Sequence, residues 1–199
     1  AASAKVDIDG YGVGGSVTFY NAAHTFYIDA VGQATWYDAS ISAVGRPASG
    51  STDGFGYALS VEAAYRHAIS DAWSFVPQGQ ITYSKADFDT FTDTDGVTTS
   101  ALDGDSLEGR IGFALEGHSD VSFGYFRANL IEEFEGKNRI NASGTKFTAD
   151  FSGTSAELSA GGSFLVTPGV RLYTDITGRV GFKNEVASAR GTIGAKVNW

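Results

Sequence analysis

Ala189-Arg-Gly-Thr-Ile-Gly-Ala-Lys-Val-Asn-Trp199 is the stretch that decides the fold. Ala189, Gly191, Ile193, Ala195, Val197 and Trp199 share one parity; Arg190, Thr192, Gly194, Lys196 and Asn198 share the other. Neighbouring side chains of a strand point to opposite faces, so this stretch predicts a strand with one apolar and one polar face. An aromatic at its end suits a membrane–water interface.

Working back from this strand, the same period-two split recurs. Val170, Leu172, Ile176, Val180 and Phe182 oppose Arg171, Tyr173, Asp175, Thr177 and Arg179. Residues 156–166 set Leu158, Phe164 and Val166 against Glu157, Ser159 and Ser163; residues 122–134 set Phe126, Leu130 and Phe134 against Arg127, Asn129 and Glu133. Comparable alternation runs through 106–116, 73–84, 57–67, 26–37 and 10–20, giving nine predicted strands, each close to the ~9–11 residues that a tilted membrane strand needs.

The character of the two faces separates a membrane barrel from a soluble sandwich. Aromatics on the apolar parity gather near strand ends (Tyr11, Phe19, Phe26, Trp36, Tyr57, Tyr65, Trp73, Tyr83 and Trp199), as interfacial girdles require. The polar parity carries both signs of charge. Its acids are Glu62, Glu108, Glu133, Glu157 and Asp175; its bases are Arg66, Arg110, Arg127, Arg171, Arg179 and Arg190. They are expected to line a hydrated lumen, either pairing across the sheet or keeping the wall non-adhesive to an unfolded chain. The predicted fold is thus an all-β, antiparallel transmembrane β-barrel in a single domain, residues 1–199.

Composition agrees. The chain has 26 glycines, 13% aromatics, no Cys and a formal net charge of −9, with a pI near 4.7. An acidic chain without a basic cluster argues against nucleic acid as a partner. No run of 18 apolar residues predicts a membrane helix. A mean hydropathy of −0.09 is what alternating lipid-facing and lumen-facing residues average to. Ala1-Ala2-Ser3 is no signal peptide, so the expectation is a trimmed precursor or part of something longer.

Connections alternate in length. Residues 21–24, 67–72, 117–120 and 167–169 are short; 38–55, 85–105 and 135–154 are long, and 183–187 is intermediate. Outer-membrane barrels have short periplasmic turns and long outer loops, which places Trp199 at the periplasmic side. Asp9-Gly10, Asp53-Gly54 and Asp103-Gly104 are expected to mark where the chain re-enters the barrel from the outside. Residues 140–151 alternate too; an outer hairpin or strand extension is preferred to a tenth spanning strand, which would reverse every upstream direction.

The order and spacing of these segments resemble the C-terminal translocator barrel of autotransporters, the type V secretion family. The resemblance is carried by Asp9-Gly-Tyr-Gly-Val-Gly-Gly-Ser-Val-Thr-Phe-Tyr20, Phe26-Tyr-Ile-Asp-Ala-Val-Gly-Gln-Ala-Thr-Trp-Tyr37, Gly56-Tyr-Ala-Leu-Ser-Val-Glu-Ala-Ala-Tyr-Arg66, Val76-Pro-Gln-Gly-Gln-Ile-Thr-Tyr83, Ser106-Leu-Glu-Gly-Arg-Ile-Gly112 and the last strand. It implies an outer-membrane pore and anchor for secretion of an N-terminal passenger. It also implies a C-terminal assembly signal at Thr192, Gly194, Val197 and Trp199, read by the barrel-assembly machinery. Outer-membrane lipid, lipopolysaccharide and the passenger are the remaining implied partners. Family barrels have twelve strands with a helix in the pore before the first; the nine strands align with the last nine. The chain is therefore expected to be an incomplete barrel, an assembly intermediate or a smaller ten-stranded form.

No enzyme is expected. His24, His67 and His118 all fall at short turns, and there is neither Cys nor a Gly-x-Ser-x-Gly elbow. The acidic run Asp87 to Asp105 lacks EF-hand spacing and reads as a solvated loop, so no metal or cofactor is expected. The alternative function is a small porin or structural barrel without a passenger; an outer-membrane enzyme ranks below it.

Overall fold

A computed structural model describes residues 4–43, 48–183 and 187–198. Trp199, Ala1-Ala2-Ser3, and residues within the 38–55 and 183–187 connections lie outside the described residues. The strands in chain order are β1 (Ala4–Tyr20), β2 (Phe26–Ala43), β3 (Ala48–Tyr65), β4 (His67–Ala68), β5 (Trp73–Phe88), β6 (Phe91–Thr92) and β7 (Thr98–His118). They continue with β8 (Ser122–Glu133), β9 (Lys137–Ala142), β10 (Thr145–Asp150), β11 (Gly153–Thr167), β12 (Val170–Gly181) and β13 (Ala187–Val197).

Nine of these form one antiparallel path, β1-β2-β3-β5-β7-β8-β11-β12-β13, matching the nine expected strands. Each neighbour follows its predecessor through a hairpin, so the sheet is a meander. β1 and β13 stand at opposite ends of the path and do not pair with each other among the described residues. Among the described residues the curled sheet is an arc of barrel with two open edges.

Register keeps the predicted faces intact across the path. Tyr11, Trp36 and Phe55 are successive partners, as are Phe113, Ala128 and Leu158 with its neighbour Ala160 lying opposite Phe126. Burial on the two faces is the reverse of a water-soluble protein: Ile111 is 66% exposed, whereas Gln78 and Asn129 are 8% and 6% exposed. An apolar exterior around a polar interior is stable where the surrounding solvent is lipid.

The exterior carries an aromatic row at the end opposite the short turns. Tyr11 stacks on Trp36 at 5.7 Å, Trp36 meets Phe55 at 5.5 Å, and Tyr57 meets Tyr83 at 5.9 Å. Phe26, Tyr65 and Trp73 lie near the short-turn end. Phe26 and Trp36 are ten residues apart on β2. At ~3.4 Å rise per residue and a tilt of about 40° that is about 26 Å, the height of an outer-membrane apolar band.

The long connections differ from expectation. Residues 38–43 and 48–55 continue β2 and β3, and 85–88 and 98–105 continue β5 and β7, so most of these two segments is ladder and not loop. β7 reaches 21 residues, about twice the ~9–11 that a membrane span needs. Outside the membrane a strand needs no apolar face, so alternation stops while pairing goes on. Consequently Asp9-Gly10, Asp53-Gly54 and Asp103-Gly104 lie within strands and mark no loop end.

Residues 137–150 form a hairpin of two six-residue strands, β9 and β10, beyond the end of β8. β9 pairs with the extension of β7 from Thr99 to Gly104, so the segment is the outer hairpin and not a tenth spanning strand. Ser143 (φ 45°) and Gly144 (φ 89°) form its two-residue turn; both lie in the left-handed region that a mirror-type hairpin turn requires. The Asn141 side chain accepts the Gly144 N–H at 2.9 Å, which is its structural role in the Asn141-Ala-Ser143 sequon.

Candidate functional site

The concave polar face of the arc is the site. Many of its side chains bond to strands two or three places away, a reach that the inward curve of the sheet shortens. Arg110 on β7 pairs with Glu62 on β3, across β5; the Tyr27 hydroxyl donates to the same Glu62 at 2.8 Å. Arg66 pairs with Glu116 at 2.7 Å. Gln78 on β5 donates to Asn129 on β8 at 3.3 Å, and Asn129 donates to Glu157 on β11 at 2.9 Å. Tyr125 on β8 donates to Asp175 on β12. Arg179 on β12 reaches furthest, donating to Glu108 on β7 at 2.8 Å while its Nε donates to Ser155 at 2.8 Å.

The remaining wall residues are placed as follows. Arg127 stacks over the Tyr125 ring at 5.1 Å, and Arg190 lies in the same polar recess as Arg110, Glu157 and Asp175. Arg171 donates to Ser163 at 3.1 Å. Glu133 lies at the outer rim, where it accepts from the Ser106 hydroxyl at 2.6 Å and the Leu107 N–H at 3.0 Å. Below this polar belt, at the short-turn end, Ala64, Val76 and Ala114 form a small apolar cluster with Tyr27 against it.

All three histidines lie at the short-turn end, on or beside the turns at 21–25, 66–72 and 119–121. His24 adopts φ 51° and lies 5.4 Å from the Tyr20 ring.

On β13, Thr192 is the partner of Asp175, and its carbonyl accepts from the Thr174 hydroxyl at 3.2 Å. Val197 is the partner of Val170, and the Asn198 N–H closes the turn onto Gly169 at 2.8 Å. Gly194 is the partner of Tyr173, whose ring occupies the volume that a Cβ at 194 would fill.

That last relation recurs, and sequence reading missed it. Gly54 is the partner of both Tyr37 and Phe88; a Cβ there would come within 2.6 Å of the Phe88 ring. Tyr37 lies against Gly10 and Gly56 as well, and its ring meets that of Phe88 at 5.6 Å. Tyr125 lies on Gly161 in the same way. Glycine opposite an aromatic lets the ring lie flat on the sheet. Two of the Asp-Gly pairs therefore matter for their glycines, as seats for Tyr37 and Phe88. The available signal was Gly on the polar parity facing an aromatic in the next strand, legible only once register is known.

A family model for the autotransporter β-domain matches residues 1–177. The chain belongs to the autotransporter β-domain family. This autotransporter β-domain is 27% identical over 98% of its length to the adhesin BmaC autotransporter of Brucella suis, and 27% identical over 83% of its length to the pertactin autotransporter of Bordetella parapertussis. It spans only 6% and 19% of the lengths of those relatives. In fold it is similar to the transport unit of the autotransporter AIDA-I from Escherichia coli, with a TM-score of 0.81 at 17% identity over 98% of the chain. It is likewise similar to the translocator domain of the autotransporter NalP from Neisseria meningitidis, with a TM-score of 0.77 at 16% identity over 99% of the chain. In both cases it covers 68% of the solved chain. Autotransporter β-domains are outer-membrane barrels, and this location accounts for the apolar exterior of the arc.

Proposed function

We propose that this autotransporter β-domain is the outer-membrane pore and anchor through which a passenger carried on the same polypeptide reaches the cell surface. The observation that carries the reading is the concave wall. Its acids and bases neutralise one another across strands, as Arg110–Glu62 and Arg179–Glu108 do, giving a hydrated belt of mixed charge along which an unfolded chain meets mainly polar groups. The polar residues form a lining and no catalytic step is assigned to them. The convex face contacts lipid and, in the outer leaflet, lipopolysaccharide. β13 is the strand that the barrel-assembly machinery reads, with Thr192, Gly194, Val197 and Trp199 as the recognised positions. Support for this comes from the edge of β13 away from β12, which is unpaired among the described residues and free to add to another strand.

The test is surface display by the full-length protein in a Gram-negative host. An epitope placed N-terminal to the β-domain should become accessible to external protease, and Val197→Asn with Trp199→Asn should reduce the folded barrel in the outer membrane. A barrel that conducts small solutes while the epitope stays inside would favour a porin and refute the translocator role.

A further inference from the structure

Glu132 breaks the alternation of β8. It shares its parity with Phe126, Ala128, Leu130 and Phe134, so its carboxylate stands on the convex, lipid-facing side. Its register partners there are Gly109 on β7 and Thr154 on β11. Among the described residues, that face carries no other charge on β3 from Phe55 to Tyr65, on β5 from Trp73 to Tyr83, on β7 from Leu107 to Gly117 or on β11 from Thr154 to Phe164. The Thr154 hydroxyl donates to one carboxylate oxygen at 2.5 Å; the other oxygen has no partner among the described residues. A charged acceptor on a lipid-facing surface is costly to leave without a donor, which marks Glu132 as more than filler.

Its height follows from register. The row that joins Phe19 to Ile28, beside the short turn at 21–25, ends at Val180 and Ala187, beside the 183–187 connection at the outer end. Rows thus climb around the arc, as tilted strands require. Glu132 shares its row with Ile81, two strands earlier, and two steps of that climb bring it level with Tyr83 in the outer aromatic row. A furrow leads up to it. Ala63, Gly79 and Gly109 lie on three successive strands and form the floor; Gly79 is the partner of Ala63, and Gly109 is the partner of Ile81, one row higher. A Cβ at Gly79 would meet only the Arg110 carbonyl, at 3.8 Å, so the floor there is open. The exposed side chains of Ile81 and Ile111 form the walls, and Phe134 leans over Gly109, where a Cβ would come within 3.0 Å of its ring. From Gly79 to Glu132 the furrow climbs about 11 Å, at ~4.8 Å between strands, ~3.4 Å per residue and a tilt of about 40°.

We propose that this furrow seats one acyl chain of lipopolysaccharide, and that the unpartnered oxygen of Glu132 accepts a hydrogen bond from a hydroxyl or amide N–H at the sugar end of that chain. The proposal rests on the outer-membrane placement within the translocator reading, and it gives the lipid contact of the convex face a specific position. Lipopolysaccharide chains are joined to sugar through amides as well as esters and carry hydroxyls beside that link, so their donors stand where hydrocarbon meets headgroup, at the height of Glu132. A glycerophospholipid has only ester oxygens at that depth, and these cannot donate to a carboxylate. A phosphate would bring negative charge to a carboxylate with no cation beside it on this face. A second copy of the chain would bring another Glu132 to an otherwise uncharged surface. A neutral donor on an apolar chain is the chemistry that satisfies both parts of the site, the furrow and the acceptor at its upper end.

The two parts are tested separately in the full-length protein, expressed in a Gram-negative host with a passenger epitope. A photo-cross-linking residue at Ile81 reports what lies in the furrow, and an antibody to lipopolysaccharide identifies the adduct. Heat-modifiable migration verifies the barrel in every variant. Glu132→Leu removes the acceptor and Gly79→Leu fills the floor; each should lower the lipopolysaccharide adduct at least threefold. Gly178→Leu, on the convex face of β12 where a Cβ meets nothing within 4 Å, should leave it unchanged. Glu132→Gln retains an oxygen acceptor and should keep at least half of the adduct. A yield as low as that of Glu132→Leu would show that charge is what matters, as for a bridging cation, and would overturn the assignment. Equal adduct in the unaltered chain, Glu132→Leu and Gly79→Leu would overturn it as well, as would a cross-link to a second copy in place of lipopolysaccharide. If Gly79→Leu prevents barrel formation, Glu132→Leu decides. Passenger display is scored in the same cells: display without the specific adduct sinks only the lipid seat, and the adduct without display sinks only the translocator role.

Discussion

The ring of Tyr173 on β12 lies across Gly194 on β13, in the space that a β-carbon at position 194 would need. Gly194 belongs to the expected assembly signal, and this contact gives the glycine a physical purpose: it lets the last strand seat itself against an aromatic already held by β12. Gly194→Ala must displace the ring or the strand, and it should slow formation of the heat-modifiable barrel several-fold. Gly178→Ala, where a Cβ meets nothing within 4 Å, should assemble at the normal rate. Removing the ring as well, in Gly194→Ala with Tyr173→Ala, should recover part of the lost rate. Equal behaviour of Gly194→Ala and Gly178→Ala would show that the ring's seat is irrelevant to assembly.

Arg110 and Glu62 tie β7 to β3 across β5, with side chains only 13% and 18% exposed. Arg110→Ala leaves a mostly buried carboxylate with Tyr27 as its remaining partner. The cost should be about 2–3 kcal/mol, between the values for exposed and fully buried pairs. Glu62→Gln with Arg110→Gln should cost less than Arg110→Ala alone, as measured by urea unfolding in detergent or lipid. Additive single-variant effects would mean that the two groups do not interact.

Ile111 on the convex face is paired with Gly79, midway along β5 between Trp73 and Lys85. In water, lysine at so exposed a position would be almost free. At the middle of a bilayer, Ile111→Lys should cost about 2–4 kcal/mol of folding stability in lipid vesicles. Gln80→Lys, one residue along on the concave side, should cost far less. Reversal of that order would invert the assignment of the two faces.

Beyond the membrane, the Ser152 hydroxyl and backbone N–H both donate to Asp150, holding its carboxyl below the usual range. The folded value is depressed, so the stabilisation is fully present above the ordinary aspartate pKa of about 3.9 and is lost as pH falls through the lower folded value. Amide-exchange protection at Ser152 should therefore persist to pH values below the ordinary aspartate range, and Asp150→Asn should lower it at neutral pH.

The membrane-facing strands were legible because lipid on one side and water on the other impose strict alternation, as in Leu107, Ile111, Phe113 and Leu115 against Glu108, Arg110 and Glu116. Extensions such as 38–43 and 98–105 were not, because aqueous strands carry no such pattern and their Ser, Thr and Asp residues resemble a loop. Wall residues could be assigned to a face from parity alone. Their partners could not, since Arg179–Glu108 depends on curvature and register over three strand steps. The glycine seats were hidden for the same reason: Gly54 acquires its meaning from Tyr37 and Phe88, each on another strand.

The long-reach pairs on the inner wall have a mechanical consequence. Arg179–Glu108 and Arg110–Glu62 act as chords drawn across an arc, and a chord shorter than its arc fixes the radius. Nine strands with open edges still follow AIDA-I at a TM-score of 0.81. Bore is thus written into the wall itself: a ring completed on this arc inherits its diameter from ties made beforehand.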